Sequence, residues 1–269
     1  MKRSTTMAMV LLPLVLVTLF IFASQSEALV VADASTTLDW SSLTITLSPG
    51  MSFAWQWYYS NAYSKIDVDS VQVAYDDKSA ASWDGWDADL NSTASYPGIY
   101  HESINNASGL LSVYSELNNA GFEVLDATGW VQRTGRFIVT GNGTVSFSID
   151  YQFDTFASNT GPDRGSAAAK AVLSLNNLDN YNGYFGDVAV EAYLSSFAVL
   201  SSGQTVSKTD AGTMTVSFDF TDGQRGEFIT QGGAFTHYYP LAKPVPEPSM
   251  LSLLGCALAG LVLLKKNRS

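Results

Sequence analysis

The chain has 269 residues, with 25 acidic against 14 basic side chains and a net charge of −11. That balance repels phosphate backbones, so nucleic acid is excluded as an expected partner. The single cysteine, Cys256, lies close to the C-terminus, so everything before it lacks disulfides, thiol catalysis and cysteine-ligated metals.

The first element is a leader. Lys2 and Arg3 precede an apolar run over residues 7–22, and small and polar residues end it at Ser26-Glu27-Ala28. A charged start, an apolar middle and small side chains at −3 and −1 define a secretory signal, with cleavage expected after Ala28. Residues 1–28 are therefore read as a signal peptide handled by a Sec-type translocon and a signal peptidase. An uncleaved anchor is the alternative use of the same run.

Residues 29–243 form the expected exported domain. Setting aside Glu27 and Glu247 leaves 23 acidic residues there. Setting aside Lys2, Arg3, Lys265, Lys266 and Arg268 leaves nine basic ones, a net charge of −14. The length suffices for one domain with a substantial core.

Within it the dominant hydrophobic period is two. Residues 43–47 and 71–75 alternate apolar and polar, as strands do. Residues 103–119 are the one stretch long enough for a helix, although their asparagines and serines disfavour it. Residues 137–140, the turn Gly141-Asn142-Gly143 and residues 145–151 predict a β-hairpin. Further strands are expected at 169–175, 188–200, 214–220, 228–230 and 235–239, with a turn at 221–224. About nine strands with polar and aliphatic faces predict an all-β domain, an antiparallel β-sandwich of jelly-roll type.

Two groups of residues carry candidate chemistry. Trp55 and Trp57 stand two apart in an extended stretch, so their rings are expected on one face. With Trp83 and Trp86 they make a candidate platform for sugar rings, against the commoner use of such residues as core. Asp84, Asp87 and Asp89 crowd one loop and form a candidate calcium site. They do not follow the EF-hand spacing, and a solvated acidic loop is the alternative. Enzymatic motifs are absent from the sequence. Asp187 and Glu191 are four residues apart, about 13 Å on a strand, too far for paired-carboxylate glycoside hydrolysis. His101 and His237 sit in no nucleophile motif. The domain is read as non-catalytic.

The C-terminal elements are the most specific. Pro244-Val245-Pro246-Glu247-Pro248 is a rigid extended segment, since proline fixes φ and restrains its predecessor. Residues 249–264 are uncharged and mostly apolar, which predicts a transmembrane helix of about 24 Å. Lys265, Lys266 and Arg268 follow and are expected to stay cytoplasmic. The motif Val245-Pro246-Glu247-Pro248, the short apolar helix and the basic end together resemble the PEP-CTERM sorting signal of Gram-negative bacteria. The resemblance covers residues 244–269 only. It implies recognition by an exosortase-like processing enzyme and transient membrane anchoring. Delivery to the cell surface or an exopolysaccharide matrix then follows. A structural or adhesive role is the leading expectation for the domain; a carbohydrate-binding module for exopolysaccharide is the first alternative and a secreted hydrolase the second.

Overall fold

A computed structural model describes residues 29–107, 109–119, 123–161, 163–179, 190–199 and 203–240. The signal peptide, Asp187, the sorting motif, the helix at 249–264 and the basic end lie outside the described residues. Among the described residues no helix is long and apolar enough to cross a membrane.

Among the described residues the alternating pattern becomes twelve strands. The first six are β1 (Val30–Leu47), β2 (Ser52–Val68), β3 (Val71–Ser82), β4 (Leu90–Tyr96), β5 (Ile99–Asn105) and β6 (Leu110–Asn119). The rest are β7 (Leu125–Thr140), β8 (Gly143–Asn159), β9 (Arg164–Asn177), β10 (Val190–Val199), β11 (Thr205–Phe220) and β12 (Arg225–Tyr239). One sheet runs β11-β8-β1-β6-β5-β4 and the other β10-β9-β12-β7-β2-β3. Every ladder is antiparallel. The all-β expectation holds, in two six-stranded antiparallel sheets stacked face to face, with β1 against β9 and β12 and β6 against β12.

Period two places the core. On β1 the residues Val30, Ala32, Ala34, Thr36 and Leu38 point inward, and on β9 Ala167, Ala169, Ala171, Leu173 and Leu175 do the same. Alanine on both facing strands lets the sheets approach closely at this end. A Cβ on Gly165 would come within 2.3 Å of Val30 Cγ1. A Phe137, Phe147 and Phe228 cluster fills the middle, with Phe147 and Phe228 stacked at 4.4 Å.

The doubt over a helix at 103–119 is borne out, and one other expectation fails. Residues 103–119 contain the end of β5 and all of β6, and no helix. Three of their polar side chains face inward: Ser103, Asn105 and Ser115 are buried and hydrogen-bonded across the core, so polarity there does not mean exposure. The expectation that fails is the hairpin at 137–151. Strand, turn and strand are all present, but β7 belongs to one sheet and β8 to the other. Gly141 (φ 89°) and Gly143 (φ 147°) turn a corner of the fold and close no ladder. The corner is laced to the turn after β11, where Gly141 N donates to Asp222 Oδ1 at 2.8 Å and Asp222 N to Asn142 Oδ1 at 2.8 Å.

Candidate functional site

The tryptophans divide between the interior and one outer face. Between Trp55 and Trp57 the β2–β7 register slips, Trp55 facing Phe137 and Trp57 facing Arg136. Gln56 is the extra residue of a β-bulge, which shifts the side-chain parity along the strand. Trp55 and Trp57 therefore point to opposite faces, contrary to the expectation that they share one. Trp55 packs inward against Phe53, Phe137 and Trp86, with ring centroids 5.2, 5.6 and 5.1 Å away.

Trp86 is an end plug. It rises from the loop after β3 and meets Trp40 edge-on at 4.8 Å and Tyr58 at 4.6 Å. Its Nε1 donates to the carbonyls of Tyr59 (3.2 Å) and Thr134 (3.1 Å). Gly135 makes room for it, since a Cβ there would lie 2.5 Å from Trp55 and 2.7 Å from Trp86. Trp83 is 76% exposed in the same loop. The four candidate residues thus form no common platform.

A different aromatic row does form, on the outer face of the second sheet. Beyond the bulge Trp57, Tyr59 and Tyr63 all point outward on β2. Trp57 and Tyr59 stack at 5.8 Å with planes 11° apart, and the Arg136 guanidinium lies 4.9 Å over Trp57. Glu227 on β12 holds Arg136 through Nε at 2.9 Å. Tyr63 stacks on Trp130 of β7 at 4.0 Å, and Tyr75 of β3 meets Tyr63 edge-on at 5.4 Å. Between the two groups runs a row of amides set opposite one another by the ladders: Gln132 and Gln231 are half-buried, and Asn61 is buried with its Nδ2 donating to Asp77 Oδ1 at 2.6 Å. Sequence reasoning passed over Trp130 and Arg136 as parts of this face. Their alternation with the inward Val131 and Phe137 was the available signal.

The acidic loop is tied to the fold. Asp89 Oδ1 accepts the Ala107 amide at 2.7 Å, and the Asp84 amide donates to Ser82 Oγ at 3.0 Å. Among the described residues no three His, Cys, Asp or Glu side chains, including Asp84, Asp87 and Asp89, are grouped to hold a metal ion. A cavity of about 290 Å³ lies beside the loop, lined by Tyr58, Tyr59, Ser60, Trp86 and Asp87. A larger groove of about 520 Å³ opens on the outer face of the first sheet, where Asp39 and Asp150 sit opposite each other. Both carboxylates are engaged: Asp39 accepts from Ser41 N and Oγ, and Asp150 from Thr213 Oγ1.

The histidines are placed apart. His101 is fully buried between the sheets, its Nε2 donating to the Ala234 carbonyl at 3.2 Å and its Nδ1 3.0 Å from Ser64 Oγ. Burial draws its pKa down to about 4, against a smaller upward pull from Ala234. This Ser–His contact is closed to solvent. His237 pairs with Asp126 on the outer face of the second sheet. Glu191 is exposed on β10.

Arg133 is the largest fully buried side chain. It lies over Trp40 at 4.5 Å and donates to Asn105 Oδ1 (2.9 Å) and the Asn106 carbonyl (2.6 Å). Desolvation pulls its pKa to about 10, opposed by the charge of Asp89. With Trp40, it joins the Trp86 plug to the first sheet.

No protein-family model matches the chain, and no match is found among curated proteins.

Proposed function

We propose that the chain is an exported, non-catalytic surface or matrix protein. It leaves the cell by its signal peptide and is processed by an exosortase-like enzyme at its C-terminal tail. The observation that supports this is the unbroken succession of Val245-Pro246-Glu247-Pro248, an uncharged stretch at 249–264, and Lys265, Lys266 and Arg268. A Pro-Glu-Pro segment alone is common. Followed at once by a short apolar span and a basic end, it matches what a membrane-embedded processing enzyme requires: an extended target held at the bilayer surface by a stop sequence. The domain is proposed as a jelly-roll sandwich, because seven of its eleven strand connections cross from one sheet to the other.

The test is the intact mass of the mature protein from its host, with and without the processing enzyme. A C-terminus within residues 246–249 only when the enzyme is present supports the assignment. A chain ending at Ser269 in both strains overturns it and leaves an ordinary anchored domain.

A second reading, a carbohydrate-binding module, is favoured by the row Trp57, Tyr59, Tyr63 and Trp130 with its central amides. Rings and amides on one open face suit the apolar faces and hydroxyls of a polysaccharide. Binding to purified exopolysaccharide should fall on Trp57→Ala or Trp130→Ala and stay unchanged on Trp83→Ala. Equal binding by all three would remove the reading.

A further inference from the structure

Among the described residues the first sheet ends at β11, a strand of 16 residues that pairs with β8 on one side only. Residues 207–213 are all exposed. A long edge of this kind offers its unpaired backbone groups to another strand. The opposite edge of the same sheet is treated differently. There the Thr93 amide of β4 is capped by the Asp76 carboxylate at 3.3 Å, and Ser92 Oγ donates to the Asp76 carbonyl at 2.7 Å.

β11 is also tied to β8 by side chains. Along its outer face Thr205, Thr209, Thr215 and Ser217 bond to Ser158, Asp154, Ser148 and Ser146 of β8 at 2.6–2.9 Å. Such an edge is ordered before any partner arrives, which lowers the entropy cost of pairing.

Its charges then select the partner. Lys208 and Asp210 flank Thr209 and share the strand's other face, two residues apart. Among the described residues Lys208 makes no ion pair. Asp210 accepts only a bond of 3.3 Å from the Tyr151 hydroxyl. If two copies of β11 pair antiparallel about a two-fold axis normal to the sheet, the central residue of the overlap faces itself. A centre at Lys208 sets lysine against lysine, and a centre at Asp210 sets aspartate against aspartate. Only a centre at Thr209 sets Lys208 against the partner's Asp210 and Asp210 against the partner's Lys208. That register overlaps residues 205–213 of both copies and brings Thr205 opposite the partner's Thr213.

We propose that β11 is a self-pairing edge, through which two copies of this chain join their first sheets into one continuous antiparallel sheet centred on Thr209. The contact is isologous, so it closes at a dimer and does not propagate. It is independent of the sorting and glycan readings, since it uses neither the tail nor the aromatic face.

The opposing possibility is that Lys208 and Asp210 guard the edge against any pairing, a common use of edge charges. Charge reversal separates the two. The full chain carrying Cys256→Ser would be purified in detergent and its mass followed by light scattering over a concentration series. The wild-type charges should give a dimer. Lys208→Asp and Asp210→Lys should each weaken it about a hundred-fold, as two like-charge contacts require. An equimolar mixture of the two variants should associate again, because each supplies the sign that the other lacks. Thr209→Cys in the same background should form a disulfide-linked dimer on mild oxidation. Near-ultraviolet circular dichroism confirms that each variant is folded. A monomer at every concentration, or a dimer that no substitution perturbs, overturns the proposal.

Discussion

Lowering the pH should destabilise this domain chiefly through His101. Its imidazole is enclosed by Ser64, Ala234 and the backbone of Gly129, with no exposed surface. In the folded state its pKa falls to about 4 from an ordinary 6.5, because burial penalises the charged ring. The native fold therefore holds the neutral form, while the unfolded chain takes up a proton first as pH falls. Stability is complete above the ordinary pKa, declines as the pH drops through it, and levels off below about 4. The full gap corresponds to about 3 kcal/mol, of which about 2 kcal/mol is lost between pH 7 and pH 5. Urea unfolding followed by tryptophan fluorescence at those two values measures the loss. His101→Gln is the informative variant, since its amide can donate to Ala234 and accept from Ser64 without ionising. The substitution should lower stability at pH 7 but remove most of this pH slope. A His237→Gln background in both proteins cancels the other histidine, which sits against Asp126. The reasoning is refuted if wild type and His101→Gln lose the same free energy over that interval.

Four further outcomes are expected. Trp86→Ala should cost about 3–5 kcal/mol by emptying the end plug, whereas Trp83→Ala should change stability by less than about 0.5 kcal/mol, both read from urea midpoints. Gly129→Ala should prevent folding or cost more than about 3 kcal/mol, because its Cβ would lie 2.1 Å from His101 Cε1 and 2.3 Å from the Tyr63 carbonyl oxygen. Gly203→Ala meets only open space, so it should cost about 1 kcal/mol through its φ of +71° alone. Asp76→Ala should speed hydrogen exchange at the Thr93 amide about ten-fold or more while leaving the β1–β8 amides unchanged, since it removes the carboxylate that caps that group.

How far the sequence revealed the fold depended on where the partners of each strand lie. Strands whose inward residues are aliphatic, such as β1 and β9, announce themselves by alternation. β5 and β6 do not, because Ser103, Asn105 and Ser115 face a polar stretch of the interior. Their bonds go to the Tyr63 carbonyl, Gln132 and Thr236, all distant in sequence. Turn chemistry located the corner at Gly141 and Gly143 correctly. It could not show that β7 pairs with β2 and β12 instead of β8, since that choice is made by whole sheets. The candidate site was legible in composition and misread in geometry. One extra residue at Gln56 turned Trp55 inward and Trp57 outward. No local pattern marks a bulge whose cause is the register between β2 and β7. Trp130 joined the outer row only because β7 sets it opposite Tyr63.

The last of the described strands, β12, occupies the middle of its sheet, between β9 and β7. Those two strands are not neighbours of each other, so until residues 225–239 arrive each keeps an open edge and the sheet exists as two separate pieces. Folding must therefore wait for the end of the domain, and contacts of such long sequence separation form slowly. A chain cut short before Arg225 lacks the strand that joins the two halves. Completeness of the polypeptide is thereby checked by the fold itself, and truncated products are left with bare edges open to aggregation and proteolysis.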